Sequence, residues 1–183
     1  KSIDPNGEDA SADTAAALVK KVSDAIDVPL IVWGCANPQK DEDVLKKVAE
    51  ACQDKTLTLG PVEDKNHKGL GAAAMGYGHA IISSSPIDVN LAKQLNILIS
   101  DMQLPLDRIM MDPTTGSLGY GIEYGYSVME RLRIAALTGD KMTQLPMIVT
   151  VGNEAWRQKE SRVGTDVPEA WGDWKERAIN WET

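Results

Sequence analysis

One order recurs along the 183-residue chain and constrains its fold more than any other feature: a short apolar run, a polar loop rich in Gly, Pro, Asn or Asp, then an amphipathic stretch. The apolar runs fall at 29–33, 56–59, 79–83, 108–111 and 147–151, with 1–3 as a shorter sixth candidate. Their starts lie roughly 23 to 39 residues apart, about the length of one βα unit. Several are nearly continuous in Val, Ile, Leu and Met, as in parallel strands covered on both faces. A parallel α/β sheet is therefore expected. The number of units suits either a barrel lacking its ends or a complete open sheet, and periodicity alone leaves both open.

Helices follow from spacing and punctuation. Residues 13–26 place Ala16, Val19, Val22 and Ile26 on one face. Asp41 is the expected cap of a second helix carrying Val44, Leu45, Val48 and Cys52. Asp88 is the expected cap of a third, with Leu91, Leu95, Leu98 and Met102 turned inward. A fourth is predicted from about Tyr120 to Thr138, closed by Gly139.

Composition removes several function classes. With 43% hydrophobic and 25% charged residues the chain is expected to be globular. Lys and Arg number 19 against 27 Asp and Glu, and the basic residues come only as short pairs such as Lys20-Lys21 and Lys46-Lys47. Nucleic acid and anionic membrane are thus not expected partners. No apolar run approaches the roughly 20 residues of a membrane helix, and the start does not read as a signal peptide. Two cysteines, Cys35 and Cys52, are too few for a disulfide framework, a four-thiolate cluster or a structural zinc site. A cytoplasmic protein is expected. The chain opens on Lys1 and stops within a helical pattern at Thr183, so it is expected to be part of a longer one.

The segment richest in chemistry is Met111-Asp-Pro-Thr-Thr-Gly-Ser-Leu-Gly-Tyr-Gly-Ile-Glu-Tyr-Gly-Tyr126. A strand ends in Asp112, and a glycine-rich loop with the hydroxyls of Thr114, Thr115 and Ser117 leads into a helix. In parallel α/β folds ligands sit on such loops; the bland alternative is turn and cap chemistry. The segment lacks the Gly-Lys-Ser/Thr of a phosphate loop. Four other strand ends carry polar groups: Asp4-Pro-Asn-Gly7, Trp33-Gly-Cys-Ala-Asn37, Ser83-Ser-Ser85 and Gly152-Asn-Glu154. Each alone reads as a turn, but all five together point to one site at the carboxyl ends of the strands.

Other motifs carry less. Gly69-Leu-Gly-Ala-Ala-Ala74 imitates a dinucleotide fingerprint but does not directly follow a strand, and Gly76 and Gly78 interrupt the helix that should follow. His67, among Glu63, Asp64 and Lys68, reads as a solvated loop residue, and His79 as a hydrogen-bonded structural one. Cys35 reads as a buried, inert thiol. Asp112 and Glu154 are positioned for acid–base work only as a weak signal. Trp171, Trp174, Ala178 and Trp181 follow helical spacing, as a core-facing stripe or a partner surface.

Three segments carry a family resemblance: Val32-Trp-Gly-Cys-Ala-Asn-Pro38, Met111 to Tyr124 and Val149-Thr-Val-Gly-Asn-Glu-Ala-Trp156. They resemble the small subunit of the corrinoid iron–sulfur protein, the counterpart of the delta subunit of acetyl-CoA decarbonylase/synthase. The resemblance implies a TIM (β/α)8 barrel, incomplete here with five to six βα units, as a single domain over residues 1–183. It implies a scaffold in a heterodimer with a large corrinoid/iron–sulfur subunit, the corrinoid (cobalamin type) lying at the subunit interface and the cluster on the partner only. It further implies that a methyl group passes from methyltetrahydrofolate, through a methyltransferase, to acetyl-CoA synthase/carbon monoxide dehydrogenase. On this reading the corrinoid-facing residues are Trp33, Asp112, Thr114, Thr115, Gly116, Tyr120 and Asn153, and this chain holds no metal and no catalytic residue. The family is in turn similar to pterin-binding methyltransferase barrels. That similarity gives the alternative, in which Asp112 and Asn153 bind methyltetrahydrofolate directly.

Overall fold

A computed structural model describes residues 3–115, 121–158, 161, 167–173, 176, 177, 179 and 180. The chain runs α1 (Ala12–Ala25), β1 (Ile31–Trp33), α2 (Pro38–Ala51), β2 (Thr58–Val62), α3 (His67–Tyr77), β3 (Ala80–Ser84), α4 (Val89–Asp101), β4 (Ile109–Asp112), α5 (Ile122–Leu137) and α6 (Val151–Arg157), with short 3-10 turns between and beyond. The four strands form one parallel sheet in sequential order β1-β2-β3-β4. Successive helices pack side by side, α1 on α2, α2 on α3, α3 on α4 and α4 on α5. Among the described residues the strand order does not reverse, as it does in a doubly wound open sheet.

The apolar runs form strands for the expected reason. Leu59, Ile81, Ile82, Ile109 and Met111 are buried, and the inner faces of α2, α3 and α4 close over the sheet through Leu45, Val48, Leu70, Leu95 and Ile99. Strand β2 runs to Val62, through Gly60-Pro61, with its register to β3 shifting between Leu59 and Val62. The fifth run forms no strand. It makes a single parallel bridge, Met147 to Met111, with Met111 N–H donating to Pro146 O and Ile148 N–H to Met111 O, both at 2.8 Å. Pro146 has no N–H to extend the ladder, and Val151 already begins α6. Of the 1–3 candidate, Ile3 is a turn residue and the other two lie outside the described residues.

Several helix details are corrected. Val22 is 39% exposed, and Ala16 and Ser23 are the buried residues of α1. Asn37 caps α2, its side chain accepting Lys40 N–H, while Pro38 takes the first helical position. Asp41 lies one turn further on, fully buried. Asp88 caps α4 as expected, accepting Asn90 and Leu91 N–H, but the buried stripe is Ala92, Leu95, Asn96 and Ile99, with Leu91, Leu98 and Met102 half-buried. Residues 69–74 lie inside α3, which runs unbroken past Gly76 and ends at Gly78 in the left-handed conformation. His67 is not solvated: at the start of α3 it is 7% exposed, its Nδ1 bonded to Asp64 O at 2.6 Å.

His79 is structural, as expected. Fully buried before β3, it accepts Leu57 N–H at Nδ1 (3.2 Å), so Nε2 carries the hydrogen and donates to Ala49 O at 2.9 Å. The side chains of the tryptophan stripe, at positions 171, 174 and 181, lie outside the described residues, as does Ala178.

Candidate functional site

All five polar segments singled out in the sequence converge on one pocket of about 1250 Å³, three of them at strand ends. Trp33, Gly34, Cys35 and Ala36 line it from the end of β1, Ser84 from β3, Asp112 and Thr114 from β4, Asn153 and Glu154 from α6, and Asp4 and Asn6 from the N-terminal turn. The volume exceeds the roughly 300–1,000 Å³ of an ordinary small-molecule pocket. The strands are parallel and in sequential order, so every strand-to-helix loop must emerge at this one end.

Asp112 anchors the floor. It is 1% exposed, with Oδ2 accepting the Ser84 hydroxyl at 2.9 Å and Oδ1 accepting Thr114 N–H at 3.0 Å. Burial raises its pKa above the usual carboxylate value; the two hydrogen bonds pull the other way, and the nearby Glu154 charge adds to the rise. The adjoining loops are tied together, Ser85 N–H donating to Asp112 O at 2.9 Å and Ile87 N–H to Pro113 O at 3.1 Å. Ile87 (φ 50°) and Thr114 (φ 56°) both hold left-handed backbone, which β-branched residues rarely adopt. Such strain persists only where the surroundings enforce it, and it collects at functional loops.

The β1–α2 loop supplies the opposite wall. Cys35 is half-buried rather than buried. Its thiol pKa is raised, first by desolvation and then by a hydrogen bond to Asp41, so the inert reading stands. Asn153 is exposed and lies in the first turn of α6, not at a strand end, yet it still faces the pocket. Thr115 does not line the pocket. It is 9% exposed, with an Oγ1 that finds no hydrogen-bond partner among the described residues. Gly116 and Tyr120 lie outside the described residues.

One strand end escaped the sequence reading. Pro61, Glu63, Asp64 and Lys65, at the end of β2, also line the pocket, as do Thr150 and Trp156. The signal was a polar loop directly after an apolar run, the same pattern as at the other five segments. It was hidden because Gly60-Pro61 reads as a strand terminator, whereas β2 continues through it. Among the described residues no group of three or more His, Cys, Asp or Glu is placed to hold a metal ion. Among them, too, no helix is long and apolar enough to cross a membrane.

Against known proteins, the chain matches the CO dehydrogenase/acetyl-CoA synthase delta subunit family over residues 1–172. It is 40% identical over 186 aligned residues to the acetyl-CoA decarbonylase/synthase complex subunit delta 1 of Methanosarcina thermophila, covering 99% of this chain and 42% of that protein. Similar matches are the delta subunits of Methanocaldococcus jannaschii (37% identity, 99% and 44% covered) and Archaeoglobus fulgidus (36%, 99% and 41%). The chain spans about two fifths of the length of these relatives.

Proposed function

Because the chain belongs to the CO dehydrogenase/acetyl-CoA synthase delta subunit family, we propose that it is scaffold in a corrinoid methyl carrier. In this reading it pairs with a larger corrinoid- and cluster-bearing subunit, in the cytoplasm. The pair carries a methyl group from methyltetrahydrofolate, by way of a methyltransferase, to acetyl-CoA synthase/carbon monoxide dehydrogenase. The observation that carries the reading is the convergence of Trp33, Asp112, Thr114 and Asn153 on one pocket larger than a small-molecule site needs.

The residues present fit such a group. A corrinoid presents a broad apolar ring edged with amides. The pocket offers the half-buried Trp33 for apolar contact, and the Asp112 carboxylate and Asn153 amide for hydrogen bonds. When bound, the corrinoid supplies the cobalt that takes up and gives away the methyl group. This chain's residues orient the ring and exclude water. The fold in this reading is a (β/α)8 barrel, of which residues 1–183 form one part. Sequential strand order supports it, as do the apolar side chains exposed on the helices at either end of the packed α1–α5 series, Leu18 and Val22 on α1 and Ile122, Tyr126 and Leu137 on α5, which a barrel would cover.

The test uses the native complex purified without oxygen. Thr114→Ala with Asn153→Ala should speed corrinoid release about tenfold, the equivalent of one good hydrogen bond. Unchanged release in a folded complex rejects the corrinoid-facing assignment. A second reading, direct binding of methyltetrahydrofolate, is favoured by the presence of Asp112 and Asn153 on the same pocket. It requires the full-length chain to bind methyltetrahydrofolate alone and Asp112→Ala to abolish that binding.

A further inference from the structure

Trp33 reaches the pocket from the end of β1, and Gly34, Cys35 and Ala36 from the short loop that follows it; the group that shapes this loop lies behind it. Asp41 is fully buried in the first turn of α2 and does not line the pocket. Its Oδ1 accepts Cys35 N–H at 2.7 Å and its Oδ2 accepts Asn37 N–H at 3.2 Å. Between these two amides Ala36 holds left-handed backbone at φ 63°. A Cβ on Gly34 would lie 2.3 Å from Asp41 Cγ, so only glycine lets the chain pass this close to the carboxylate. On its other side Gly34 N–H donates to Gly60 O at 2.7 Å. A Cβ on Gly60 would lie 3.4 Å from the Trp33 ring, which places that ring over the β2 backbone.

Helix capping does not account for this arrangement. Asn37 already accepts Lys40 N–H, and the Cys35 amide lies outside the helix altogether. One buried carboxylate instead gathers two loop amides that would otherwise point nowhere, and charge-assisted bonds of this kind are the strong ones. We propose that Asp41 is a positioning residue for the pocket: its carboxylate holds loop 34–37 against α2, so that Trp33 and Cys35 form one wall of the ligand site. The assignment of a ligand to that wall rests on the corrinoid reading above; the positioning itself does not.

The two are tested separately on the full-length chain. Cys52 is fully buried, so alkylation by iodoacetamide, mapped by peptide mass, reports on Cys35. Asp41→Asn keeps the volume but loses one acceptor. Because Asp41 also raises the Cys35 thiol pKa, rates are compared per thiolate, from the pH–rate profile of each variant; on that basis Asp41→Asn should raise Cys35 alkylation about fivefold or more, well below the melting temperature, as loss of one hydrogen bond frees the loop. Leu95→Ala, which destabilises the core remote from the loop, should leave that rate unchanged. An unchanged rate in Asp41→Asn overturns the proposal, and so does an equal rise in Leu95→Ala. In the native complex, Trp33→Ala tests the ligand: unchanged corrinoid release sinks the corrinoid reading while the alkylation result still decides the positioning. If both hold, Asp41→Asn should speed corrinoid release in the parent but add little in the Trp33→Ala background, as two residues acting through one contact do.

Discussion

His79, just before β3, and Asp112, the last residue of the neighbouring β4, are both buried polar residues, and they sit at opposite ends of the same sheet. At the amino end, His79 spends both ring nitrogens on backbone partners, Leu57 N–H and Ala49 O, and is fully buried. At the carboxyl end, Asp112 accepts two hydrogen bonds, yet burial still disfavours its charge, and it faces a pocket of about 1250 Å³. One polar group closes an account with the backbone; the other is left in tension. The left-handed backbone at Ala36, Ile87 and Thr114 lies at that same carboxyl end. The closed polar network and the open pocket thus lie at opposite ends of the strands, the division that parallel α/β folds generally show.

The comparison breaks first at His79. His79→Ala should cost about 4 kcal/mol in urea denaturation, because two buried backbone groups lose their partner and a cavity remains. A cost under about 1 kcal/mol would mean water replaces the ring and the amino end is not closed. Leu95→Ala, in the fully buried core, should cost about 3 kcal/mol by the same method. Neither substitution should alter the pocket.

Asp112→Asn sharpens the other half. Folded Asp112 holds its proton more tightly than the unfolded chain does, its pKa lying above the ordinary 3.8. Its contribution to stability is therefore full below that value and is lost as pH climbs through the window up to the raised pKa. The asparagine variant should remove that decline, so parent and variant denaturation midpoints should diverge across this window and run parallel above it. Parallel curves throughout would show that the carboxylate is not under tension. The smallest effect belongs to the surface. Lys20 pairs with Asp24 at 3.1 Å and Asp54 at 2.7 Å in solvent, and Lys20→Ala should leave the melting temperature unchanged within error, in low salt and high.

Much of this division was legible in the sequence. The apolar runs located four strands, and the polar residues following them located the pocket, because in a parallel sheet the order along the chain fixes which end a loop occupies. The structural role of His79 was readable too. What misled were local signals overruled by tertiary packing. Gly60-Pro61 resembled a strand end, but β2 continues through it. Asp41 resembled a cap, because an acid near a helix start usually is one; its actual targets, the Cys35 and Asn37 amides, depend on how the loop folds back. His67 resembled a solvated residue amid charges, but the start of α3 buries it. The run at 147–151 had strand composition, yet only Met147 pairs.

The imidazole of His79 has a consequence for isotope exchange. The Leu57 amide donates to a side chain that is itself anchored on α2 through Ala49 and carried at the start of β3. Its hydrogen can meet solvent only when helix, loop and strand separate together, whereas a pocket amide such as that of Thr114 is freed by movement of one loop. In deuterated buffer the Leu57 amide should therefore mark time for the whole fold, its exchange governed by the free energy of global opening.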